Sequence, residues 1–372
     1  MIENWKDCRN ILCVRLDNLG DLLMSEPAIR ALKETLNCRI TVLTSSMAAG
    51  IVPMLPGIDD CLIFDAPWVK LATPNDTDIL NLVTTLRERQ FDAAVIFTVF
   101  SQNPLPAALI TYLAGIPLRL AYCRENPYHL LTQWVPDGEP YVFIRHQVQR
   151  DLDLVRHVGA ETSQEQLMLQ NSGNGNTIDS LLKTTGVDPQ KPWLILHPGV
   201  SEEKRRYPVD HWIMLAKALG ELGYQALLTG TGSEADNARV IASNAGTSAH
   251  VLAGKLTLSE FVSLIQHAPL VVSVNTATIH IAAATQTPVI VLYAMSNPQH
   301  TPWRVAGKVL PFTIDQQQQS RNEVIQYWQH RIPKHIPNTV SPKEVLKAID
   351  ELLQLQKHKT SLPIIPDNIL IG

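Results

Sequence analysis

The sequence predicts an α/β protein made of two doubly wound parallel sheets. Three observations carry that expectation. Short apolar runs alternate with helix-period segments along most of the chain, the pattern of strands buried on both faces and joined by crossover helices. The length, 372 residues, exceeds what a single core usually supports, so two domains are expected. The most legible stretch, residues 270–303, reads as strand (270–274), polar loop (Asn275, Thr276, Ala277, Thr278), alanine-rich helix ending near 286, and second strand (288–292). That is a βαβ unit with a parallel pair. The loop leaving its first strand opens on the ligand crevice, and the next helix offers unpaired N–H groups to an anion. His280, within the first turn or so of that helix, would add a donor to the same anion. Taken alone, a capping Asn275 or Thr276 above a packed His280 accounts for the stretch equally well.

Residues 11–16 (ILCVRL) suit a central strand and lead into Asp17-Asn18-Leu19-Gly20-Asp21 and a helical pattern. Gly20 would let backbone approach a ligand closely. Asp21 stands at the helix entrance, where the N-terminus favours an ionised carboxylate. Capping explains it as well, with Ser25 capping a second segment that starts at Pro27. Strands at 40–43, 60–64, 91–97 and 118–122, with helices at 48–54, 78–89 and 105–113, complete the first doubly wound unit. The helix over 145–158 carries Arg145, His146, Arg150, Arg156 and His157, by default a solvated charged face. The linker-like run QNSGNGN (170–176) places the boundary between about 170 and 191 and divides the chain into 1–175, 176–345 and a closing helix end and tail, 346–372.

The second half opens with a strand at 193–196 that runs into His197-Pro198-Gly199-Val200-Ser201 and then Glu202-Glu203-Lys204-Arg205-Arg206-Tyr207-Pro208. Three successive cations leaving a strand end suit a diphosphate. A solvated basic turn fits this loop alone equally well, but the loop at 275–278 leaves a strand of the same sheet and tips the balance to phosphate. Helices at 211–222, 234–243 and 258–266, strands at 225–229 and 250–252, and the loops Gly230-Thr231-Gly232-Ser233 and Gly254-Lys255-Leu256 complete the second sheet. Beyond Trp303 the pattern weakens. A four-glutamine run (316–319) reads as surface loop, Ser341-Pro342-Lys343-Glu344 as the capped start of a helix reaching about 356, and 357–372 as a loosely held end.

Composition narrows the function. A net charge of -4 argues against a general nucleic-acid binder. The five cysteines include no CxxC pair and lie in the first third, as buried reduced thiols of a cytoplasmic protein would. The first ten residues are polar, and no apolar run approaches the roughly 18 residues of a membrane span, so neither a secretory leader nor a span is expected.

Over roughly residues 10–350 the chain resembles glycosyltransferase family 9, the bacterial ADP-heptose:lipopolysaccharide heptosyltransferases. Arg15, Asp17, Gly20 and Asp21 match the family's R-x-D-x-x-G-D. His197-Pro198-Gly199, Ser201 and Arg205-Arg206-Tyr207-Pro208 match its H-P-G…S/T…K-x-W-P. Residues 275–280 match its D-T-G-x-x-H, with Asn275 for aspartate and Ala277 for glycine; Arg205 and Tyr207 stand for lysine and tryptophan. The resemblance implies the GT-B fold, two Rossmann-like domains facing a central cleft, the first binding acceptor and the second the nucleotide sugar. It implies an inverting, metal-independent transfer with Asp21 as catalytic base. Arg15, Asp17 and Gly20 would line the acceptor side, and Ser201, Lys204, Arg205, Glu234, Leu256, Asn275, Thr276, Ala277 and His280 the donor. No cofactor or metal is implied. The expected partners are a nucleotide sugar, with ADP-heptose the family donor, and a lipid-linked or polysaccharide acceptor; a lipid acceptor would place this cytoplasmic enzyme at the inner face of the membrane. The rival readings are a sugar-nucleotide epimerase or hydrolase on the same scaffold and a non-catalytic glycan- or nucleotide-binding member.

Overall fold

Among the described residues, twelve short strands form two six-stranded parallel sheets. In the computed structural model, which describes residues 4–69, 76–170, 178–200, 202–295, 297–314, 322–329, 331 and 336–367, the first sheet contains β1 (Asn10–Arg15), β2 (Arg39–Thr44), β3 (Asp60–Ile63), β4 (Ala93–Ile96), β5 (Leu118–Cys123) and β6 (Gln133–Pro136) in the order β3-β2-β1-β4-β5-β6. The second contains β7 (Trp193–His197), β8 (Gln225–Leu228), β9 (Ala249–Val251), β10 (Val271–Val274), β11 (Val289–Ala294) and β12 (Gly307–Phe312) in the order β12-β11-β10-β7-β8-β9. Counted from its own first strand, each sheet has the doubly wound order 3-2-1-4-5-6. The chain divides into two compact units, Met1–Gln170 with Asn322–Val324, and Asn171–Arg321 with Ile325–Gly372. Most of the linker-like run, Ser201 and the glutamine run lie outside the described residues.

The topology decides where chemistry can sit. Strand order reverses between β1 and β4 in one sheet and between β7 and β10 in the other. At such a reversal successive crossovers depart to opposite sides and leave a crevice beyond the strands' carboxyl ends. Burial follows the same plan: β4, β5, β10 and β11 are buried along their whole length. The edge strands β3, β6, β9 and β12 are only partly covered.

Several local expectations change. The helix Leu19–Leu36 is continuous, with Pro27 inside it. Ser25 therefore starts no second segment; its hydroxyl donates to Asp151 (2.6 Å). The helix Gln147–Arg156 is not simply a solvated charged face. Its Arg150 is buried against Asp137 (2.7 Å) and Glu139 (2.9 Å) and lies over the Tyr122 ring, while His146 caps the helix from a buried position. The C-terminal segment is held rather than loose as far as Asp367. Ile365 is buried and its N–H bonds the Val305 carbonyl (2.9 Å), Ala306 bridges Ile364, and Arg304 pairs with Asp367. The capped start at Ser341 is as expected, with Glu344 closing a capping box on the helix Pro342–Lys357.

Strands β6 and β12 went unread in the sequence because both are edges and both contain proline, Pro136 and Pro311. An edge strand tolerates proline because one side of its ladder has no partner. Gly307, which opens β12 with φ +155, sits so close to β11 that a Cβ would run into the Val289 carbonyl. Gly307→Ala should therefore lower the unfolding free energy by about 1–3 kcal/mol, the usual cost of overpacking. Urea titration followed by intrinsic tryptophan fluorescence measures this; an unchanged midpoint would contradict the β11–β12 register.

Candidate active site

At the reversal point of the first sheet, β1 ends in Arg15, whose side chain is fully buried. The chain turns through Asp17 and enters the helix Leu19–Leu36 with Asn18 as N-cap. Asp21 is the third helical residue and closes a capping box, accepting the Asn18 N–H on Oδ2 (3.3 Å). Its Oδ1 lies 3.5 Å from Arg15 Nη2. The capping role and the guanidinium contact thus share one carboxylate. Gly20, expected in the loop, is a buried residue of the first helical turn.

Two further carboxylates face Arg15: Asp17 at 3.1 Å and Asp151, from the helix Gln147–Arg156, at 4.0 Å. Gln102, in the loop after β4, donates to Asp17. Ser25 and Gln147 donate to Asp151 at 2.6 and 2.8 Å. Burial pushes the Asp17 carboxyl up to about 6, against the pull of Arg15, and raises Asp151 as well. The three differ in access. The Asp21 side chain is 13% exposed, against 6% for Asp17 and 2% for Asp151, so Asp21 is the member best placed to meet a substrate.

Sequence reasoning missed Gln102, Gln147 and Asp151. The signal available for the last was an Asp-x-Asp pair, Asp151 and Asp153. The helix turns these two apart, Asp151 onto Arg15 and Asp153 onto Arg145 and Arg156. Among the described residues, no group of three or more His, Cys, Asp or Glu is placed to hold a metal ion.

In the second unit, four strand-end loops are joined. After β7, His197 Nδ1 meets Thr229 Oγ1 at the end of β8 (2.9 Å), and burial lowers its pKa to about 4, so the ring is neutral at pH 7. The Glu234 carboxylate lies so close over Gly199 that a Cβ there would strike it. Glu234 Oε2 also accepts the N–H (2.7 Å) and hydroxyl (2.9 Å) of Thr231, a second capping box. The loop after β9 joins through Gly254, whose N–H bonds the Gly230 carbonyl (3.0 Å), and Leu256 follows half-buried. On the other side, Arg205 Nη1 donates to the Asn275 carbonyl after β10 (3.1 Å).

The cations between β7 and the helix Val209–Glu221 have carboxylate partners. Lys204 and Arg205 both pair with Glu202, and Arg206 pairs with Glu203. Thr276 is the N-cap of the helix Ala277–Ala284, and its hydroxyl is buried without a hydrogen-bond partner. Ala277 is the first helical residue and not one of the positive-φ positions, so alanine there carries no strain. His280 is buried one turn in. Tyr207 is a core residue: it packs edge-on against Trp212 (5.2 Å) and donates to the Val340 carbonyl (2.8 Å).

Two doubly wound units, each with polar strand-end loops at its own reversal, define a GT-B-like fold. A structure of the glycosyl transferase family 9 protein from Veillonella parvula superposes with TM-score 0.75 at 17% identity, covering 94% of this chain and 97% of that one. The E. coli ADP-heptose lps heptosyltransferase II superposes with TM-score 0.71 at 22% identity, covering 94% and 99%. Lipooligosaccharide heptosyltransferase 2 of Haemophilus influenzae is 27% identical over 306 residues, 79% of this chain and 85% of its own length. The family model glycosyltransferase family 9 (heptosyltransferase) matches residues 79–328, and the chain belongs to that family. It is a glycosyltransferase, an enzyme that moves a sugar from a nucleotide-sugar donor to an acceptor. Among the described residues no helix is long and apolar enough to cross a membrane. Cys8, Cys13, Cys38 and Cys123 are buried, Cys61 is partly so, and all five are free thiols.

The raised pKa of Asp17 has a consequence for stability. Its folded value lies above the ordinary 3.8, so the folded protein binds a proton that the unfolded chain does not between about pH 4 and 6. The stability that proton lends is present below about pH 4 and lost as pH rises through 6. Asp17→Asn should flatten this fall, by on the order of 2 kcal/mol between pH 4.5 and 7.5. Urea unfolding of both proteins at the two pH values measures it; parallel pH profiles would contradict the burial of an ionised Asp17.

Proposed function

We propose that the enzyme transfers heptose from ADP-heptose, with inversion, to a hydroxyl of a lipopolysaccharide core or related glycan. The observation that carries the mechanism is the position of Asp21, the most accessible carboxylate around Arg15, on the first helical turn at the reversal of the first sheet. Asp21 takes the acceptor proton as that oxygen attacks the anomeric carbon from the face opposite the diphosphate. Arg15 holds Asp21 in place, and Asp17 and Asp151 fix Arg15 in turn. The first unit binds the acceptor, and the second the donor.

On the donor side, Lys204, Arg205, the N–H groups that open the helix Ala277–Ala284 beside Thr276, and His280 stabilise the charge that develops on the leaving diphosphate. These cations do the work a divalent metal does elsewhere, so the reaction calls for none. Ser201, outside the described residues, adds a hydroxyl. Asn275 and Leu256 line the sugar and base, and the Glu234 carboxylate reaches the ribose. The heptosyltransferase names of the H. influenzae and E. coli relatives support the sugar, and the E. coli structure names ADP-heptose. Membership of a transferase family weighs against the epimerase, hydrolase and non-catalytic readings. The proposed location is the cytoplasm, at the inner membrane face when the acceptor is lipid-linked.

The deciding experiment is ADP release from ADP-heptose with and without heptose-deficient lipopolysaccharide. Release should depend on acceptor, and Asp21→Asn should lower kcat by about 10²–10⁴ while leaving ADP affinity unchanged. An Asp21→Asn enzyme that turns over normally would sink the assignment. Arg205→Gln should act at the other step. Loss of a charge-assisted contact worth about 1.5–3 kcal/mol should weaken ADP binding roughly tenfold or more by calorimetry, and an unaltered Kd would remove Arg205 from the donor site.

A further inference from the structure

We infer that Glu202 is a built-in placeholder for the donor diphosphate, an internal anion that the nucleotide must displace to reach Lys204 and Arg205. The inference rests on the donor-site reading above and concerns a residue to which that reading gives no role. Glu202 immediately precedes a single 3₁₀ turn, Glu203–Arg205, and the Arg205 N–H bonds its carbonyl (2.9 Å). That turn folds the next two cations back over the Glu202 carboxylate. One carboxylate oxygen lies 2.7 Å from Lys204 Nζ and the other 2.6 Å from Arg205 Nη2. A carboxylate placed this way presents to the two cations the pair of acceptor oxygens that a phosphate would present.

The surroundings suit an exchangeable anion. Arg205 reaches in the other direction to the Asn275 carbonyl, so the cations stand beside the loop that starts the helix Ala277–Ala284. Arg205 Nε and Thr276 Oγ1 are buried without hydrogen-bond partners, two donors that the Glu202 carboxylate leaves unused. The Glu202 side chain is 42% exposed and the cations 22%, so the carboxylate can swing into water, and ion pairs this exposed are weak enough to exchange. Glu203 does not share the role, because it pairs with Arg206 on the outer side of the turn.

The consequence inverts the usual effect of removing a site residue. If the diphosphate replaces Glu202, the intact protein binds ADP more weakly than its cations allow, and neutralising Glu202 tightens binding. Binding to the wild type trades one ion pair for another, so its salt dependence is shallow; without the Glu202 charge the trade becomes a net gain of ion pairs and the dependence steepens. A nucleoside without phosphate does not meet the cations and is indifferent to the change. If Glu202 instead braces the cations in the geometry the donor needs, its removal weakens ADP binding.

The test is calorimetric titration of ADP and of adenosine into the full-length wild type, Glu202→Gln and Glu202→Ala at low and moderate salt, with thermal melting to show that each variant is folded. The expected result is a Kd for ADP lowered about threefold or more in both variants, a steeper salt dependence, and an unchanged response to adenosine. An ADP affinity that is unchanged or weakened in the folded variants overturns the placeholder and makes Glu202 a brace. Equal tightening of ADP and adenosine overturns it too, since the effect would not then act through phosphate. Absence of ADP binding to the wild type would instead reject the donor-site reading, and with it the inference.

Discussion

A guanidinium without water is the constraint on which the first unit's site depends. Removing Arg15 from solvent costs several kcal/mol unless its charge is answered nearby, and it is answered from three segments: Asp17 and Asp21 just beyond β1, and Asp151 from a helix more than a hundred residues on. The cation sets the spacing of the carboxylates, and they hold the end of β1, the helix Leu19–Leu36 and the helix Gln147–Arg156 in one arrangement. Ser25, Gln102 and Gln147 spend their hydrogen bonds on the same carboxylates. A proposed base is thereby held in place while its side chain stays partly accessible.

The second unit solves a different problem by different means. Its strand-end loops meet through backbone carbonyls, a glycine without a side chain and capping boxes, and its cations stay partly exposed. A proton acceptor works by staying still, which favours buried charge with fixed counter-charges around it. A site for a large dianion has to empty and refill, which favours charges that can change partners at little cost. The placement of the two clusters follows from one shared topology, and their difference in burial follows from what each is proposed to do.

Most of the architecture was legible because central parallel strands are apolar on both faces. The runs at 11–16, 193–196, 270–274 and 288–292 announced β1, β7, β10 and β11, and the polar loops after them announced the crevices. The edge strands β6 and β12, each containing a proline, carry no such signature and went unread, whereas the edges β3 and β9 were read. Of the candidate site, Asp21 stood out by its place at a helix entrance, and Arg15 and Asp17 by the R-x-D-x-x-G-D motif they share with the family. Asp151 and Gln102 did not, because only the fold brings them to Arg15 and nothing in a single sequence marks that contact. The loop at 202–206 showed its three cations in the sequence, but not that folding pairs them with the two glutamates beside them. Tyr207, which stands where the resembling family has tryptophan, is explained by packing, since a core aromatic with a hydroxyl bond to Val340 anchors the loop from beneath.

The departures at Asn275, Ala277 and Arg205 form a consistent set. Arg205 uses the Asn275 backbone carbonyl, not its side chain, so exchanging aspartate for asparagine leaves that link intact while removing a negative charge from beside the proposed diphosphate. Ala277 begins a helix with ordinary backbone angles, so its methyl group is tolerated without strain, and what the loop offers an anion, its N–H groups, is unchanged. Arginine in place of lysine supplies a planar fork that grips a carboxylate with one arm and a carbonyl with the other. An ammonium is a single compact charge with no fixed pair of directions, and it would have to divide itself between the two. The same fork can keep the carbonyl and exchange the carboxylate for a phosphate, so the loop stays in place while its anion changes.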